Sequence, residues 1–170
     1  MRNIILCGFM GCGKSTVGRQ LAELTGRQFM DMDELIANRS GMSVSDIFEK
    51  FGEEEFRRLE REVCAELSKK QGLVIAAGGG ALTFPENVKA LSETGDIVLL
   101  DVPLEVILKR LQHDTPRPLL ARPDREEAAR KLYNSRQPLY RAACGYSVDG
   151  GKNAGDVARS ILGLLNIDNK

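Results

Sequence analysis

Residues 8–16 read GFMGCGKST and match the phosphate-binding loop pattern G-x-x-x-x-G-K-[ST]. In such a loop, consecutive backbone N–H groups surround a phosphate, Lys14 brings positive charge to its oxygens, and the Ser15 hydroxyl is placed to bind Mg²⁺. A glycine-rich turn with a chance Lys-Ser pair is the alternative, but the apolar run before the motif and the helical pattern after it favour a nucleotide site. The expected nucleotide contacts in this loop are Gly11, Cys12, Gly13, Lys14, Ser15 and Thr16.

Two carboxylates, Asp31 and Asp33, follow the second predicted strand. Ligands of open α/β sheets collect beyond the carboxyl ends of the strands, so we expect both side chains to face the phosphate loop. One could support Mg²⁺, directly or through water, while the other accepts a hydrogen bond or a proton from an attacking hydroxyl. The alternative is that Asp33 only caps the next helix while Asp31 lies in a solvated turn, and the two roles can coexist.

Arg57 follows three consecutive glutamates near a predicted helix start. It is spaced i,i+4 from Glu53, and Arg58 is spaced in the same way from Glu54. Ion pairing on an exposed helix face therefore accounts for this cluster without any ligand. Taken alone, the pattern predicts that Arg57 is a surface ion-pair residue.

Three glycines, Gly78, Gly79 and Gly80, directly follow the third predicted strand. Glycines at this position let a ligand approach the backbone closely, although a tight turn would need them as well. Two further arginines come later, Arg117 in the run Thr-Pro-Arg-Pro-Leu-Leu and Arg136 at the start of Arg-Gln-Pro-Leu-Tyr.

The elements that must position these residues alternate along the chain and predict a three-layer α/β sandwich. Short apolar runs predict five buried parallel strands, at 3–7, 29–30, 73–77, 97–100 and 146–148. Helical patterns cover 14–25, 33–39, 44–51, 53–70, 85–93, 104–111, 125–143 and 155–165. Because no repeat or linker is visible, we expect a single domain over 1–170.

The composition restricts the class of partner. The chain has 170 residues, enough for one domain with a core, and its formal net charge is zero. A balanced charge provides no field that would attract nucleic acid or an anionic membrane. The four cysteines lack C-x-x-C spacing, which argues against a zinc site or a disulfide framework and suits a reducing cytoplasm. Since no apolar run is long enough to span a membrane, we expect a cytoplasmic protein. Its small size and balanced charge suit a monomer that binds small molecules.

The order of these motifs resembles that of the shikimate kinase family. The phosphate loop alone would indicate only a very large superfamily. Here it is followed by Asp-x-Asp, Phe-Arg-x-x-Glu, Gly-Gly-Gly, Arg-Pro-Leu-Leu and Arg-x-x-Leu-Tyr, in that order. The resemblance implies Mg²⁺- and ATP-dependent phosphorylation of the 3-hydroxyl of shikimate, in the route to chorismate and aromatic amino acids. It also implies a P-loop fold similar to nucleoside monophosphate kinases, with a five-stranded parallel sheet in the order 2-3-1-4-5.

The resemblance also implies roles for residues on the acceptor side. Arg57 and Arg136 would bind the shikimate carboxylate, because the planar guanidinium group matches that anion. Asp33 would bind the reacting hydroxyl and is a candidate base. Gly79 and Gly80 would offer backbone donors to shikimate.

On the donor side, the resemblance makes Lys14 and Arg117 catalytic together with Asp33. Arg117 would move onto the transferring phosphoryl group and offset its charge, as an arginine finger does. Asp31 would support Mg²⁺ through water beside Ser15.

Three further segments take family roles. The helical segment at about 33–61 would bind substrate, and the polar, proline-containing stretch at about 112–124 would form a lid that excludes water. Arg110 resembles the family residue that stacks on adenine, and Lys152-Asn153 occupies the adenine-binding loop. Ala154 departs from the proline often seen there.

Two residues have competing interpretations. Asp101 ends a run of four apolar residues and has the form of a Walker B aspartate, which would reach Mg²⁺. The resemblance places the three glycines in the Walker B position instead and makes Asp101 structural. Cys12 is either an accessible thiol activated by the helix N-terminus or a packed, inert one.

The sequence leaves two other functions open. The first is a kinase on the same scaffold for another small acceptor, such as gluconate or a nucleoside monophosphate. A nucleotide acceptor would need a base-binding pocket, whereas the chain offers two carboxylate-binding arginines and no tryptophan. The second is a nucleotide-dependent switch or a silent binding module, against which the retention of Lys14, Asp33 and Arg117 argues.

Overall fold

The computed structural model describes residues 1–112 and 124–168. They contain a parallel five-stranded sheet in the order β2-β3-β1-β4-β5. The strands are β1 Asn3–Cys7, β2 Gln28–Asp31, β3 Leu73–Ala76, β4 Gly95–Asp101 and β5 Tyr146–Asp149. The predicted fold class and strand order are therefore confirmed.

Helices connect the strands. They are α1 Lys14–Thr25, α2 Met32–Ser40, α3 Val44–Leu67, α4 Pro85–Thr94, α5 Leu104–Leu111, α6 Arg125–Ala143 and α7 Ala154–Leu164, with a one-turn 3₁₀ helix at Ala81–Thr83. The predicted helix ends lie within three residues of these bounds. Gly52, with φ 84° and ψ 173°, interrupts α3 and separates its two predicted segments. A side chain would be strained at that φ, so glycine permits the bend.

The core lies on both sides of the central strands. Every residue of β1 and β3 is buried, as expected for parallel strands covered by helices on both faces. Helix α1 packs against α7, and α3 packs against α2 and α4. The sheet and the helices that cover it thus hold the loops at the ends of the strands.

The strand order brings the conspicuous sequence motifs together. β1 pairs with β3 through Leu6 and Ala76, and β3 pairs with β2 through Ala76 and Asp31. The segments that follow these three strands therefore leave the sheet side by side at its carboxyl edge. They carry the phosphate loop, the two aspartates and the three glycines.

A separate observation concerns membranes. Within residues 1–112 and 124–168, none of the helices has the length and apolar character needed to cross a membrane.

Candidate active site

A cleft of about 460 Å³ lies at the carboxyl edge of the sheet. Four segments line it: the phosphate loop with the start of α1, the end of β2 with the start of α2, the end of β3 with the glycines after it, and the end of α5. The lining residues are Met10, Gly11, Gly13, Lys14, Ser15, Thr16, Asp31, Asp33, Glu34, Ala76, Ala77, Gly79 and Arg110.

The phosphate loop curls over the start of α1. Gly13 is the N-cap of α1 and has a left-handed φ of 96°, which glycine adopts without strain. The Lys14 ammonium donates to the carbonyl oxygens of Gly8 at 2.6 Å and Phe9 at 3.1 Å. Cys12 is 1% exposed, and a Cβ added at Gly8 would lie 2.7 Å from its sulfur. The Cys12 thiol is therefore packed beneath the loop, which excludes the accessible-thiol interpretation.

Asp31 connects the phosphate loop to α2. Its Oδ1 accepts hydrogen bonds from the backbone N–H groups of Asp33 at 3.0 Å and Glu34 at 3.3 Å, so it is the N-cap of α2. Its Oδ2 accepts a hydrogen bond from the Ser15 hydroxyl at 2.5 Å. The alternative in which Asp33 caps this helix and Asp31 is solvated is therefore wrong.

The Ser15–Asp31 pair fits Mg²⁺ bound together with phosphates. Both residues offer the hard oxygen atoms that Mg²⁺ prefers, and this ion usually takes only one or two protein ligands besides phosphates and water. Among the described residues, no group of three or more His, Cys, Asp or Glu side chains could bind a metal by itself.

Two carboxylates flank Gly78. A Cβ added at this glycine would lie 2.8 Å from Glu60 Oε2 and 2.9 Å from Asp33 Oδ1, closer than real contacts allow. Glu60 is 1% exposed. Burial raises the pKa of its carboxyl, while the neighbouring Arg57 guanidinium acts in the opposite direction.

Arg57 is buried rather than exposed. Only 8% of the residue is accessible, and its guanidinium donates to Glu60 at 2.8 Å and to Glu53 at 3.3 Å. The interpretation of Arg57 as a surface ion-pair residue is therefore wrong. A Cβ added at Gly80 would lie 2.4 Å from Arg57 Nη1, so the guanidinium packs directly on this glycine.

Arg136, on α6, approaches the same glycines from another direction. It is 8% exposed, and a Cβ added at Gly79 would lie 3.5 Å from its Nη1. Tyr140 follows one turn later and donates its hydroxyl hydrogen to the Gly79 carbonyl oxygen. Two buried cations thus converge on one short glycine turn, which is an environment suited to an anion.

The comparisons with known proteins agree with this geometry. Residues 10–166 match the family model described as shikimate kinase. The chain belongs to the shikimate kinase family. A shikimate kinase from Caldanaerobacter subterraneus subsp. tengcongensis is 43% identical over 95% of each chain. Another from Geobacter sulfurreducens is 45% identical over 94% of this chain and 88% of the relative.

Solved structures give the same result. One is the shikimate kinase from Acinetobacter baumannii in complex with shikimate, whose sequence is 43% identical to this chain. The two structures superpose with a TM-score of 0.94 over 98% of this chain and 93% of the other. A gluconokinase from Sinorhizobium meliloti 1021 and a deoxyadenosine kinase from M. mycoides have TM-scores of 0.63 and 0.62 at 18% and 14% identity. The last two share only the P-loop kinase fold.

The nucleotide residues predicted from the shikimate kinase resemblance are only partly gathered at the cleft. Arg110 lines it and donates to the carbonyl oxygens of Gly11 at 3.4 Å and Gly150 at 3.5 Å. Lys152 and Asn153 do not line it. The Asn153 side chain instead caps α7, where it accepts the N–H of Asp156 at 3.0 Å. Arg117 and nearly all of the predicted lid lie at 113–123, outside the described residues.

Asp101 faces α6 rather than the cleft. Its Oδ1 accepts a hydrogen bond from Gln137 at 3.4 Å, and its Oδ2 lies 3.9 Å from Arg141. Gln137 also donates to the Tyr133 hydroxyl at 2.7 Å. These contacts favour the structural interpretation of Asp101 over a Walker B role.

Two residues at the site received no role in the sequence analysis. Glu60 binds Arg57, and Tyr140 contacts Gly79. The sequence held a signal for each of them, because Glu60 is spaced i,i+3 from Arg57, and Tyr140 is spaced i,i+4 from Arg136. Spacing alone does not distinguish such pairs from ordinary helix neighbours.

Proposed function

We propose that the protein transfers the terminal phosphoryl group of ATP to the 3-hydroxyl of shikimate, giving shikimate 3-phosphate. The observation that carries the proposal is the convergence of two buried guanidinium groups, Arg57 and Arg136, on Gly79 and Gly80 beside the phosphate loop. Such a site suits an acceptor with a carboxylate. Membership of the shikimate kinase family supports the same acceptor over gluconate or a nucleoside monophosphate.

On the acceptor side, Arg57 and Arg136 bind the carboxylate of shikimate. The fork of Arg57 is already oriented by Glu60 and Glu53, so little conformational entropy is lost when the substrate binds. The backbone N–H groups of Gly79 and Gly80 are the additional donors.

Asp33 acts on the reacting hydroxyl. It lines the cleft next to Lys14 and the glycine turn, so its carboxylate can accept the hydroxyl hydrogen of the acceptor. Phosphoryl transfer through a loose transition state needs little base catalysis, and orientation of the hydroxyl can therefore be its main contribution.

On the donor side, ATP is the phosphoryl donor and Mg²⁺ its metal, as is standard in this family. Lys14 exchanges its hydrogen bonds to Gly8 and Phe9 for phosphate oxygens and offsets their charge. Ser15 and Asp31 are the residues that would bind Mg²⁺, Asp31 through water. When bound there, the ion would offset negative charge on the phosphate oxygens.

Three further assignments belong to the same proposal. Arg117, which lies outside the described residues, is assigned to the transferring phosphoryl group, and Arg110 to adenine together with Lys152 and Asn153. Arg110 already lies between the phosphate loop and Gly150, which supports its placement.

A coupled assay of ADP release tests the function. We expect release with ATP, Mg²⁺ and shikimate, and no more than background release when shikimate is omitted. Gluconate and nucleoside monophosphates are the comparison acceptors. Lys14→Ala, which removes the phosphate-loop charge, is the control for contaminating kinases.

The outcomes separate the three functions. No shikimate-dependent release would overturn the proposal, and release with another acceptor would replace shikimate by that acceptor. Binding of ATP without turnover on any acceptor would indicate a switch or a binding module.

We also infer a monomer in the cytoplasm. The monomer rests on the small size and balanced charge, and light scattering after gel filtration measures it directly. The compartment rests on four cysteines that are free thiols, as expected in a reducing environment.

A further inference from the structure

Tyr140 is a large polar side chain at the site to which the proposed reaction gives no role. It is 1% exposed and lies on α6, one turn after Arg136. Its hydroxyl donates to the carbonyl oxygen of Gly79, and the Arg136 guanidinium is near enough to act on it through its charge. Because it is buried behind these groups, it cannot contact a substrate in the cleft.

The direction of this hydrogen bond follows from the available proton. A phenol has one hydrogen to donate, and the Gly79 carbonyl can only accept it. Burial raises the pKa of Tyr140, so the hydroxyl stays protonated and keeps donating at neutral pH.

The contact with Gly79 completes the glycine turn. The Gly78 carbonyl accepts the N–H of Ala81 at 3.0 Å, and the Gly80 carbonyl accepts the N–H of Thr83 at 3.2 Å. These two bonds lie within the turn itself. The Gly79 carbonyl, between them, is bound by a residue from another element.

The direction of the Gly79 carbonyl determines where the Gly80 N–H points. The Gly79 C=O and the Gly80 N–H belong to one planar trans peptide and point in opposite directions. Fixing the oxygen toward α6 therefore aims the Gly80 N–H away from α6. Glycine at both positions would otherwise let this peptide rotate easily.

We propose that Tyr140 is a positioning residue for the acceptor, which orients the Gly79–Gly80 peptide through its hydroxyl group. The inference rests on the proposed function, since the acceptor it positions is shikimate. A Cβ added at Gly79 would also lie 3.8 Å from the backbone nitrogen of Met10 in the phosphate loop. Tyr140 therefore fixes the acceptor groups relative to the donor loop.

Tyr140→Phe tests the proposal, because it keeps the ring and removes only the hydroxyl. Tyr133→Phe is the matched control. Tyr133 lies on the same helix, and its hydroxyl donates to the Val102 carbonyl at 2.9 Å, so it loses the same type of hydrogen bond. Both variants should therefore lose a similar, small amount of thermal stability.

Steady-state kinetics distinguish positioning from a structural role. For Tyr140→Phe we expect the KM for shikimate to rise by up to about 10-fold, near the upper end of the loss for one hydrogen bond between neutral groups. The KM for ATP should stay within about twofold, and kcat should fall less than the shikimate KM rises. Tyr133→Phe should leave the KM for shikimate unchanged.

A second measurement does not depend on turnover. In ¹⁵N-glycine-labelled protein without ligands, the Gly80 amide resonance should shift in Tyr140→Phe and stay in place in Tyr133→Phe. An unchanged Gly80 amide would overturn the inference, and so would a shikimate KM equal to that of Tyr133→Phe. If the unmodified protein does not phosphorylate shikimate, the proposed function fails, and the Gly80 amide still decides whether Tyr140 orients the peptide.

Discussion

At the scale of single residues, Arg136 should separate the acceptor half of the site from the donor half. Arg136→Ala removes a buried cation beside Gly79 and leaves the phosphate loop unchanged. Hydrogen bonds to charged groups contribute about 1.5–3 kcal/mol, so the KM for shikimate should rise about 10- to 150-fold. The KM for ATP should stay within about twofold in the same steady-state assay.

Arg141→Ala is the control for this substitution. Arg141 lies on the same helix, but its side chain is 66% exposed and lies 3.9 Å from Asp101. It should leave both KM values unchanged. If Arg136→Ala raises the two KM values equally, Arg136 does not bind the acceptor.

Glu60 should make the stability depend on pH. Its carboxyl is buried and its pKa is raised above the usual 4.5, so the folded protein binds this proton more tightly than the unfolded chain does. The stabilisation from the protonated form is complete below pH 4.5 and is lost as the pH rises through the raised pKa. The slope is at most about 1.4 kcal/mol per pH unit for one proton.

Glu60→Gln isolates this contribution. The free energy of unfolding of the wild type, minus that of the variant, should fall as the pH rises from 4.5 and level off above the raised pKa. Urea unfolding at a series of pH values measures it. Glu62→Gln, at a side chain that is 60% exposed, is the control. A difference that rises with pH would mean that Arg57 stabilises the Glu60 carboxylate more than burial destabilises it.

At the scale of elements, Asp31 combines a helix cap with a position beside Ser15. Asp31→Asn keeps an oxygen that accepts the N–H groups of α2 and removes the charge, whereas Asp31→Ala removes both. We expect Asp31→Ala to lose about 1 kcal/mol of stability more than Asp31→Asn. Both variants should need more Mg²⁺ for half-maximal activity, measured by titrating Mg²⁺ in the ADP assay.

The comparison of these two variants tests both roles. If Asp31→Asn requires no more Mg²⁺ than the wild type, Asp31 acts only as a cap. If the two variants are equally stable, the capping hydrogen bonds contribute nothing measurable to α2.

The glycine turn after β3 should not accept even a methyl group. An alanine Cβ at Gly78 would lie within 2.9 Å of both Asp33 and Glu60, so one of the two carboxylates must move. We expect Gly78→Ala to lower kcat/KM at least about 10-fold and to destabilise the fold by about 1–3 kcal/mol. Gly163→Ala in α7 is the control, because its Cβ meets nothing within 4 Å and alanine favours a helix. Wild-type kinetics in Gly78→Ala would mean that neither carboxylate needs its present position.

The positions of the strands and helices were largely predictable from the sequence, whereas some side-chain contacts were not. Apolar runs and glycines predicted where the strands and helices lie. Strands that are buried between helices are apolar throughout, and left-handed backbone at the end of a helix favours glycine. Which aspartate caps α2 was not predictable, since both are good caps and the choice depends on β2 continuing to Asp31, opposite Ala76. Arg57 was misplaced for a related reason. Its pairs with glutamates of the same helix have the same spacing in water or in the core, and it is buried because the glycine turn and the Phe84 ring pack against it.

At the scale of the whole molecule, binding should appear as global stability. A ligand that binds only the folded state adds about 2.7 kcal/mol at 100 times its Kd, and each kcal/mol raises the Tm of a domain this size by about 2–4 °C. Saturating shikimate and ADP with Mg²⁺ should therefore each raise the Tm by about 5–11 °C in a calorimetric scan. At the wild type's saturating concentration, Arg136→Ala should keep at most about half of the shift from shikimate, because its affinity falls about 10- to 150-fold, and should keep the whole shift from ADP. The methyl ester of shikimate, which lacks the carboxylate charge, should give a smaller shift with the wild type because both guanidinium groups then lose their ionic partner. Equal shifts from the acid and the ester would show that the two buried arginines recognise something other than a carboxylate.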